Sequence, residues 1–572
     1  MDNLKYFEIL NKKKELQQSN DSKPLEFKVL SNITTNQLND IAEYYLLSRN
    51  LNVIFSTGNY DNIVQDVQIS NNFDGLLFFW EAANIIPGLH YKINLFTEDE
   101  FQAVINKVKT EIDLIGNSLK NVPLVLFNKF SSVLFNAEYL MQNRLDELCS
   151  ELNEYAKKKL PSNVFMVDID KIIAQISVQK AFNSREYVSS RALYSLEFNK
   201  AYTKYIAPVI LSAHGKTKKA LIFDCDNTLW NGILGEDGPE GIMMSEHEKA
   251  GNPFFEIQNL ALQLCKNGVI IGLCSKNNEA DVEYILGNHP DIVLKPENIT
   301  IKKINWNNKA QNLIEIAHEL NIGLDSIVFV DDSDFEINLI NEQLPQVTTI
   351  QVPNKRHMYP GTIKEAFSLF FNKSLTEEDK NKSSLYTAQF QRKEAMETAT
   401  SIDEYLKSLQ MEIHIFKNNT EIVPRMAQMT QKTNQFNLTT KRYTESQIQH
   451  FVDNSDFDIF ALNVADKFGD NGITGLAIVK YSTNHAIIDT FLMSCRIIGR
   501  NIEYKFMNYI IHQIHRPIIY ANYIESAKNQ QTMSFLDQIG FKLIKKTNRN
   551  TEYKLRKGEY QPNEIEYILE KP

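Results

Sequence analysis

The stretch Ala220-Leu221-Ile222-Phe223-Asp224-Cys225-Asp226-Asn227-Thr228-Leu229-Trp230 decides how this chain reads. Four apolar residues make a short buried strand, which ends in two aspartates two positions apart. Carboxylates at a strand end can converge on one point, and two that close repel unless a cation sits between them. Hard oxygen ligands of this kind favour Mg²⁺, which would neutralise phosphate oxygens and leave one carboxylate free to attack phosphorus.

Two later strands also end in polar groups. Val269-Ile270-Ile271-Gly272-Leu273-Cys274-Ser275 ends in a hydroxyl and is followed by Lys276 and Asn277. Ser326-Ile327-Val328-Phe329-Val330 ends in Asp331-Asp332, and between these strands Lys309 opens the helical stretch Asn308 to Leu320. Ligands of open α/β sheets bind beyond the carboxyl ends of the strands, where all these groups fall. A single Asp-x-Asp is usually a turn or a helix start, and Ser275 by itself is an ordinary helix cap. Their common placement at strand ends, in this order, is what carries the chemistry.

These residues resemble the four motifs of the haloacid-dehalogenase (HAD) superfamily. The resemblance implies a Rossmann-like parallel sheet, Asp224 as nucleophile and Asp226 as general acid/base. It implies Thr228, Ser275, Lys276, Asn277 and Lys309 around the phosphate, and Asp224, Asp226, Asp331 and Asp332 around Mg²⁺. Asp226-Asn227-Thr228-Leu229-Trp230, Gly235-Glu236-Asp237-Gly238, Cys274-Ser275-Lys276-Asn277, Asn305-Trp306 and Asp331-Asp332-Ser333 are similar to the FkbH-like branch. The short run after Trp230 leaves room only for a small flap, Gly232 to Gly241, and so for a large partner. Cys225 stands where that branch has an aliphatic residue, and it reads as a small buried hydrophobe.

Outward from this block the chain divides into 1–215, 216–372, a helical linker 373–410, and 411–572. The first block alternates strands (Phe27–Leu30, Leu51–Phe55, Gly75–Trp80, Pro123–Phe127) with helical stretches (Phe101–Leu119, Ala137–Lys157), which predicts an α/β layer with a parallel sheet. It is similar in outline to SGNH hydrolases. The Gly-Asp-Ser turn of that group is absent, Val29-Leu30-Ser31-Asn32 standing there, and no Asp-x-x-His pair closes the block near 180–210. It reads as a catalytically degenerate module. The polar run Asn372 to Ser384 reads as a linker.

The last block is strand-rich, with strands at Met411–Phe416, Asp458–Val464, Gly475–Tyr481 and His485–Met493 and helices near 421–431 and 499–514. Lys432 to Thr440, Phe468-Gly469-Asp470-Asn471-Gly472 and Phe491 to Arg496 continue the FkbH-like similarity, and the order of elements resembles an acetyltransferase-type (GNAT) α+β fold. There Arg496-Ile497-Ile498-Gly499-Arg500-Asn501 matches the turn that aims backbone N–H groups at a pyrophosphate, except that Asn501 replaces the last glycine. The resemblance implies a groove for the phosphopantetheine arm of an acyl carrier protein, bordered by Arg496, Gly499, Arg500, Lys441 and Arg442, with Lys505 nearby. Cys495, beside Arg496 and ahead of a helix start, is the better thiol nucleophile on physical grounds. Cys274 comes second, and burial as an inert structural thiol is the competing reading of both.

The rest of the composition narrows the class. Apolar residues make up 43% and charged residues 23%, so most of the length can fold. Lys plus Arg number 61 against 71 Asp plus Glu, for a net charge of −10, which argues against nucleic acid or an anionic membrane as partner. No apolar run approaches the roughly 18 residues of a transmembrane helix, and no signal-peptide core follows Met1. Five scattered cysteines (149, 225, 265, 274 and 495) fit a reducing cytoplasm. The FkbH-like similarity implies an enzyme that takes a phosphorylated three-carbon acid, 1,3-bisphosphoglycerate, releases phosphate and loads the glyceryl group onto an acyl carrier protein. Competing expectations are a phosphatase of a small metabolite with a structural C-terminal block, and a non-catalytic scaffold.

Overall fold

The computed structural model describes the chain apart from residues 2, 21, 70–72, 137–139, 373–384, 386, 387, 390, 393, 394, 397, 399, 527 and 572. The polar run read as a linker thus lies almost wholly outside the described residues, and so does the start of the stretch predicted as helix from Ala137. The described residues form two compact units, 1–213 with 443–450, and 214–442 with 451–572. The described residues form a mixed α/β fold with two parallel sheets and a third, mainly antiparallel one. No helix among the described residues is long and apolar enough to cross a membrane.

The first unit holds a parallel sheet of β1 (Leu25–Ser31), β2 (Val53–Thr57), β3 (Gly75–Phe79), β4 (Leu124–Asn128) and β5 (Val164–Val167) in the order β2-β1-β3-β4-β5. β3 and β4 are buried along their whole length, as strands covered on both faces must be. Ser31 is buried and donates its hydroxyl to the Ile33 carbonyl at 2.7 Å, so it has no nucleophile's exposure. Ahead of β1 the chain forms a helix, Tyr6–Gln18.

The second unit contains two sheets. One is parallel: β6 (Ala220–Phe223), β7 (Ile270–Ser275), β8 (Ile301–Ile304), β9 (Ile327–Asp331) and β10 (Thr348–Gln351), ordered β10-β9-β6-β7-β8. β6, β7 and β9 are fully buried, which explains their unbroken apolar runs. The central strand β6 lies between β7 and β9, so three of the strand ends named above stand side by side.

The other sheet is built mainly of antiparallel pairs: β11 (Met411–Lys417), β12 (Phe436–Asn437), β13 (Phe457–Asp466), β14 (Gly469–Tyr481), β15 (His485–Met493), β16 (Ile518–Ile524), β17 (Lys542–Lys546), β18 (Asn550–Arg556) and β19 (Ile568–Lys571). β15 and β16 run parallel and pair only over His485–Ile488 and Ile518–Ala521. Beyond that they part, and β12 takes the freed edge of β15 at Leu492 and Met493. Leu438 N–H donates to the Phe491 carbonyl at 3.1 Å and its own carbonyl accepts from Ile524 N–H at 2.8 Å. The chain's own Phe436–Leu438 therefore fills the gap between the parted strands.

Candidate active site

Asp224 immediately follows β6, and Asp331 closes β9, its neighbour in the sheet. Lys309, the first residue of the helix Lys309–Glu319, reaches between them: its Nζ lies 2.9 Å from Asp224 Oδ1 and 2.7 Å from Asp331 Oδ2. All three are buried. Ser333 N–H donates to Asp331 Oδ1 at 2.8 Å, and Asp332 faces Arg356 at 3.7 Å. Arg356 lies in the loop after β10, where no sequence pattern marked it.

The electrostatics follow from this crowding. Burial, and then the adjacent Asp224 charge, raises the Asp331 carboxyl to about 6. Asp332 is raised too, chiefly by burial and next by Asp224. Burial would lower the Lys309 ammonium, but the Asp224 and Asp331 carboxylates outweigh it and hold the amine well above the usual lysine range. Lys309 is therefore a fixed positive charge in a buried acidic corner.

Asp224, Asp331 and Asp332 each bring a carboxylate oxygen within 4.8 Å of the others. A compact set of three hard oxygen donors, with more negative charge than Lys309 alone can balance, suits Mg²⁺. Asp226, the fourth residue expected around Mg²⁺, does not bring its carboxylate into this cluster. It is held elsewhere: Oδ1 accepts from Trp230 Nε1 at 2.9 Å and Leu234 N–H at 3.0 Å, and Oδ2 from Asn277 Nδ2 at 2.9 Å. Burial raises its pKa all the same, which suits a group that must hold a proton and give it up.

Local sequence sets this geometry. Asn227 adopts the left-handed conformation (φ 52°), which Asn tolerates, and its N–H donates to the Gly232 carbonyl at 3.2 Å while Gly232 N–H returns a bond to Asn227 Oδ1. The turn brings Trp230 and Leu234 back onto Asp226. The short helical segment Leu234–Gly241, kinked at Gly238, stands where the small flap was expected.

The expected phosphate binders are only partly gathered. Ser275 ends β7 beside Asp224 and is buried, like Thr228, whose Oγ1 has no hydrogen-bond partner among the described residues. Asn277 is engaged with Asp226. Lys276 turns away to Glu336 at 2.7 Å, a buried partner that the sequence did not reveal.

The thiols require correction. Cys274 is wholly buried among Ala220, Ile222, Ile270 and Ala310, and burial pushes its thiol up to about 12, so it packs rather than attacks. Cys225 is buried as expected, its thiol raised well above the ordinary range. Cys495 is half-buried, in the turn after β15, and its carbonyl accepts from Asn321 Nδ2 at 3.2 Å. It lines a cavity together with Lys219 and Ser326, which directly precede β6 and β9. That is the opposite end of the sheet from Asp224. Lys219 and Asp224 are five residues apart along an extended strand, roughly 16 Å at about 3.3 Å per residue. A Cys495 thiolate acting on a substrate held at Asp224 and Lys309 is therefore ruled out by distance.

The groove residues do not surround one open groove either. Arg500 is buried, its guanidinium 3.2 Å from Asp466 Oδ2 and 2.7 Å from the Arg496 carbonyl. Arg442 bonds the Gln431 carbonyl and Asn434 Oδ1, and burial lowers it to about 10. Lys441 pairs with Asp489. Gly499 is exposed at φ 81°, and Arg496 faces the cavity that Cys495 lines. Lys505 Nζ donates to the Ile565 carbonyl at 3.5 Å.

No family model matches the chain, and no curated protein matches its sequence. Among solved structures, the chain is similar to the N-terminal part of the Bacteroides fragilis protein BF1531, which contains a phosphatase domain and was crystallised with Mg: 25% identity, TM-score 0.56, covering 65% of this chain and all of that one. The ribosomal-protein-S18-alanine N-acetyltransferase of Escherichia coli matches at 11% identity and TM-score 0.21, covering 25% of this chain and 93% of its own. An acetyltransferase of Thermus thermophilus matches at 13% identity and TM-score 0.20, covering 26% of this chain and 98% of its own.

Proposed function

We propose that the chain is a Mg²⁺-dependent HAD-type phosphohydrolase acting on a phosphorylated three-carbon acid. The observation that carries this reading is Lys309 Nζ held between Asp224 and Asp331, with Asp332 completing a donor set for Mg²⁺. The BF1531 phosphatase domain with Mg supports it.

When bound, Mg²⁺ would be held by Asp224, Asp331 and Asp332 and would neutralise charge on the phosphate oxygens. Lys309 adds its own charge at the same corner and fixes Asp224 in place. An Asp224 oxygen attacks phosphorus, the bond from phosphorus to the leaving oxygen breaks, and that oxygen takes a proton from Asp226. Asp226 then takes a proton from water as the water oxygen attacks phosphorus, freeing Asp224 and inorganic phosphate.

A second reading is the glyceryl transfer implied by the FkbH-like similarity, and the shortness of the segment Leu234–Gly241, eight residues in place of a large cap, favours it. Attack by Asp224 on the phosphorus of an acyl phosphate leaves a free acid, whereas attack by a thiol on the acyl carbon keeps the acyl group activated. With Cys274 buried and Cys495 beyond reach, the thiol of this reading is the carrier's own. The deciding experiment offers 1,3-bisphosphoglycerate and Mg²⁺ with and without an acyl carrier protein. Phosphate release without carrier, and no mass gain on the carrier, supports hydrolysis alone. Release that requires carrier and adds a glyceryl mass to it supports transfer.

A further inference from the structure

The cavity at the other end of the parallel sheet has a chemistry of its own. It measures about 150 Å³, less than the roughly 300–1,000 Å³ of pockets for drug-sized ligands, which limits its occupant to a small molecule or a single functional group. Its described lining brings together Lys219, Arg425, Lys432, Arg496 and Lys528 with no carboxylate, and Cys495 is part of its wall. This is a local reversal of sign in a chain of net charge −10.

The surroundings hold these cations in place. The Lys219 main chain is fixed at the head of buried β6, where its N–H donates to the Ser326 carbonyl at 2.7 Å, and Lys528 is held by an ion pair with Asp325 at 2.7 Å. Arg425 donates to the Ile473 carbonyl at 2.9 Å, and Arg496 Nε to Ser494 Oγ at 3.3 Å. Just outside, Lys218 is lowered to about 8, first by burial, with the Lys528 charge adding to it, and Lys216 is lowered for the same two reasons. Asp325 is the acidic partner of this group and does not offset all of it. Converging cations on fixed elements, in a space closed on several sides, are stabilised by an anion.

We propose that this cavity is a second anion site, separate from the Asp224 centre, which takes a small phosphate- or carboxylate-bearing molecule and covers the Cys495 thiol when filled. The cations bind the anionic group, and Cys495 is a reporter on the wall rather than a reactant.

The test follows alkylation of Cys495 by N-ethylmaleimide, an uncharged reagent, with peptide mass mapping and half-buried Cys265 as internal control. The protein is Asp331→Asn in EDTA, which removes the metal centre as a competing phosphate site and makes the outcome independent of the proposed hydrolase activity. Inorganic phosphate, glycerate and 3-phosphoglycerate form the arms, with chloride at matched ionic strength as control. At an anion concentration of twice its Kd, alkylation of Cys495 should slow about threefold while Cys265 is unchanged. The arm that protects at the lowest concentration identifies the anionic group. Arg496→Ala with Lys528→Ala should abolish protection, and Arg496→Lys, which keeps the charge, should retain it. Equal alkylation with and without every anion, or undiminished protection in the double variant, overturns the proposal.

Discussion

Lys219 and Asp224 stand at opposite ends of one buried strand, Lys219 facing the cavity of Cys495 and Asp224 bound to Lys309. The acidic corner and the basic cavity are thus separated by the length of β6, and the chemistry at one does not reach the other. Cys495→Ala should accordingly leave phosphate release within about twofold of wild type. A loss of more than about tenfold in kcat with an unchanged melting temperature would contradict the separation.

Lys309 is the cation that lets two buried carboxylates coexist. Lys309→Met leaves Asp224 and Asp331 without it, and removing one partner of a buried pair costs about 3–5 kcal/mol. The variant should melt lower in EDTA and regain more from added Mg²⁺ than wild type does, because the metal then supplies the missing charge. Calorimetry with and without Mg²⁺ checks this, and equal Mg²⁺ gains in both proteins would count against it.

Asp331 gives a pH dependence of defined sign. Its carboxyl sits at about 6 in the fold, above its ordinary value, so it binds its proton more tightly folded than unfolded. Its contribution to stability is complete below about pH 4 and is lost as pH rises through 6. In EDTA, the wild-type melting temperature should fall relative to Asp331→Asn across that window. A difference that stays constant from pH 4 to 7 would show that Asp331 is not perturbed in this way.

The Asp466 side chain is fully buried and meets two arginines, Arg392 at 2.7 Å and Arg500 at 3.2 Å. Asp466→Ala strands both guanidinium groups and should destabilise the protein by about 3–5 kcal/mol. Lys505→Glu, at a half-buried position, should cost far less. Chemical denaturation of the two variants compares them directly.

The central site was legible because its chemistry lies in short local patterns. Each of β6, β7 and β9 is an apolar run that ends in a polar group, and a parallel sheet puts such ends together. Asp226 shows the limit of spacing: two positions from Asp224, it is drawn to Trp230, Leu234 and Asn277 by a turn whose closure depends on Asn227 and Gly232. Arg356 and Glu336 were invisible because neither lies in a pattern, and their relation to Asp332 and Lys276 exists only in the folded chain. The basic residues of the last block misled for a related reason. Arg500 and Arg442 look like surface charges in one dimension, yet both are spent on interior partners. The groove beside β15 could not be judged either, since Phe436–Leu438, some fifty residues earlier in the chain, fills it.

The central claim is that phosphate chemistry runs through Asp224 with Mg²⁺ held by Asp331 and Asp332. Its most direct test measures phosphate release from 1,3-bisphosphoglycerate and from 3-phosphoglycerate by wild type, Asp224→Asn and Asp331→Asn, in Mg²⁺ and in EDTA. The account predicts release by the wild type in Mg²⁺ alone, and none above background from either variant, with both variants folded. Undiminished release in EDTA, or by Asp224→Asn in Mg²⁺, would contradict it.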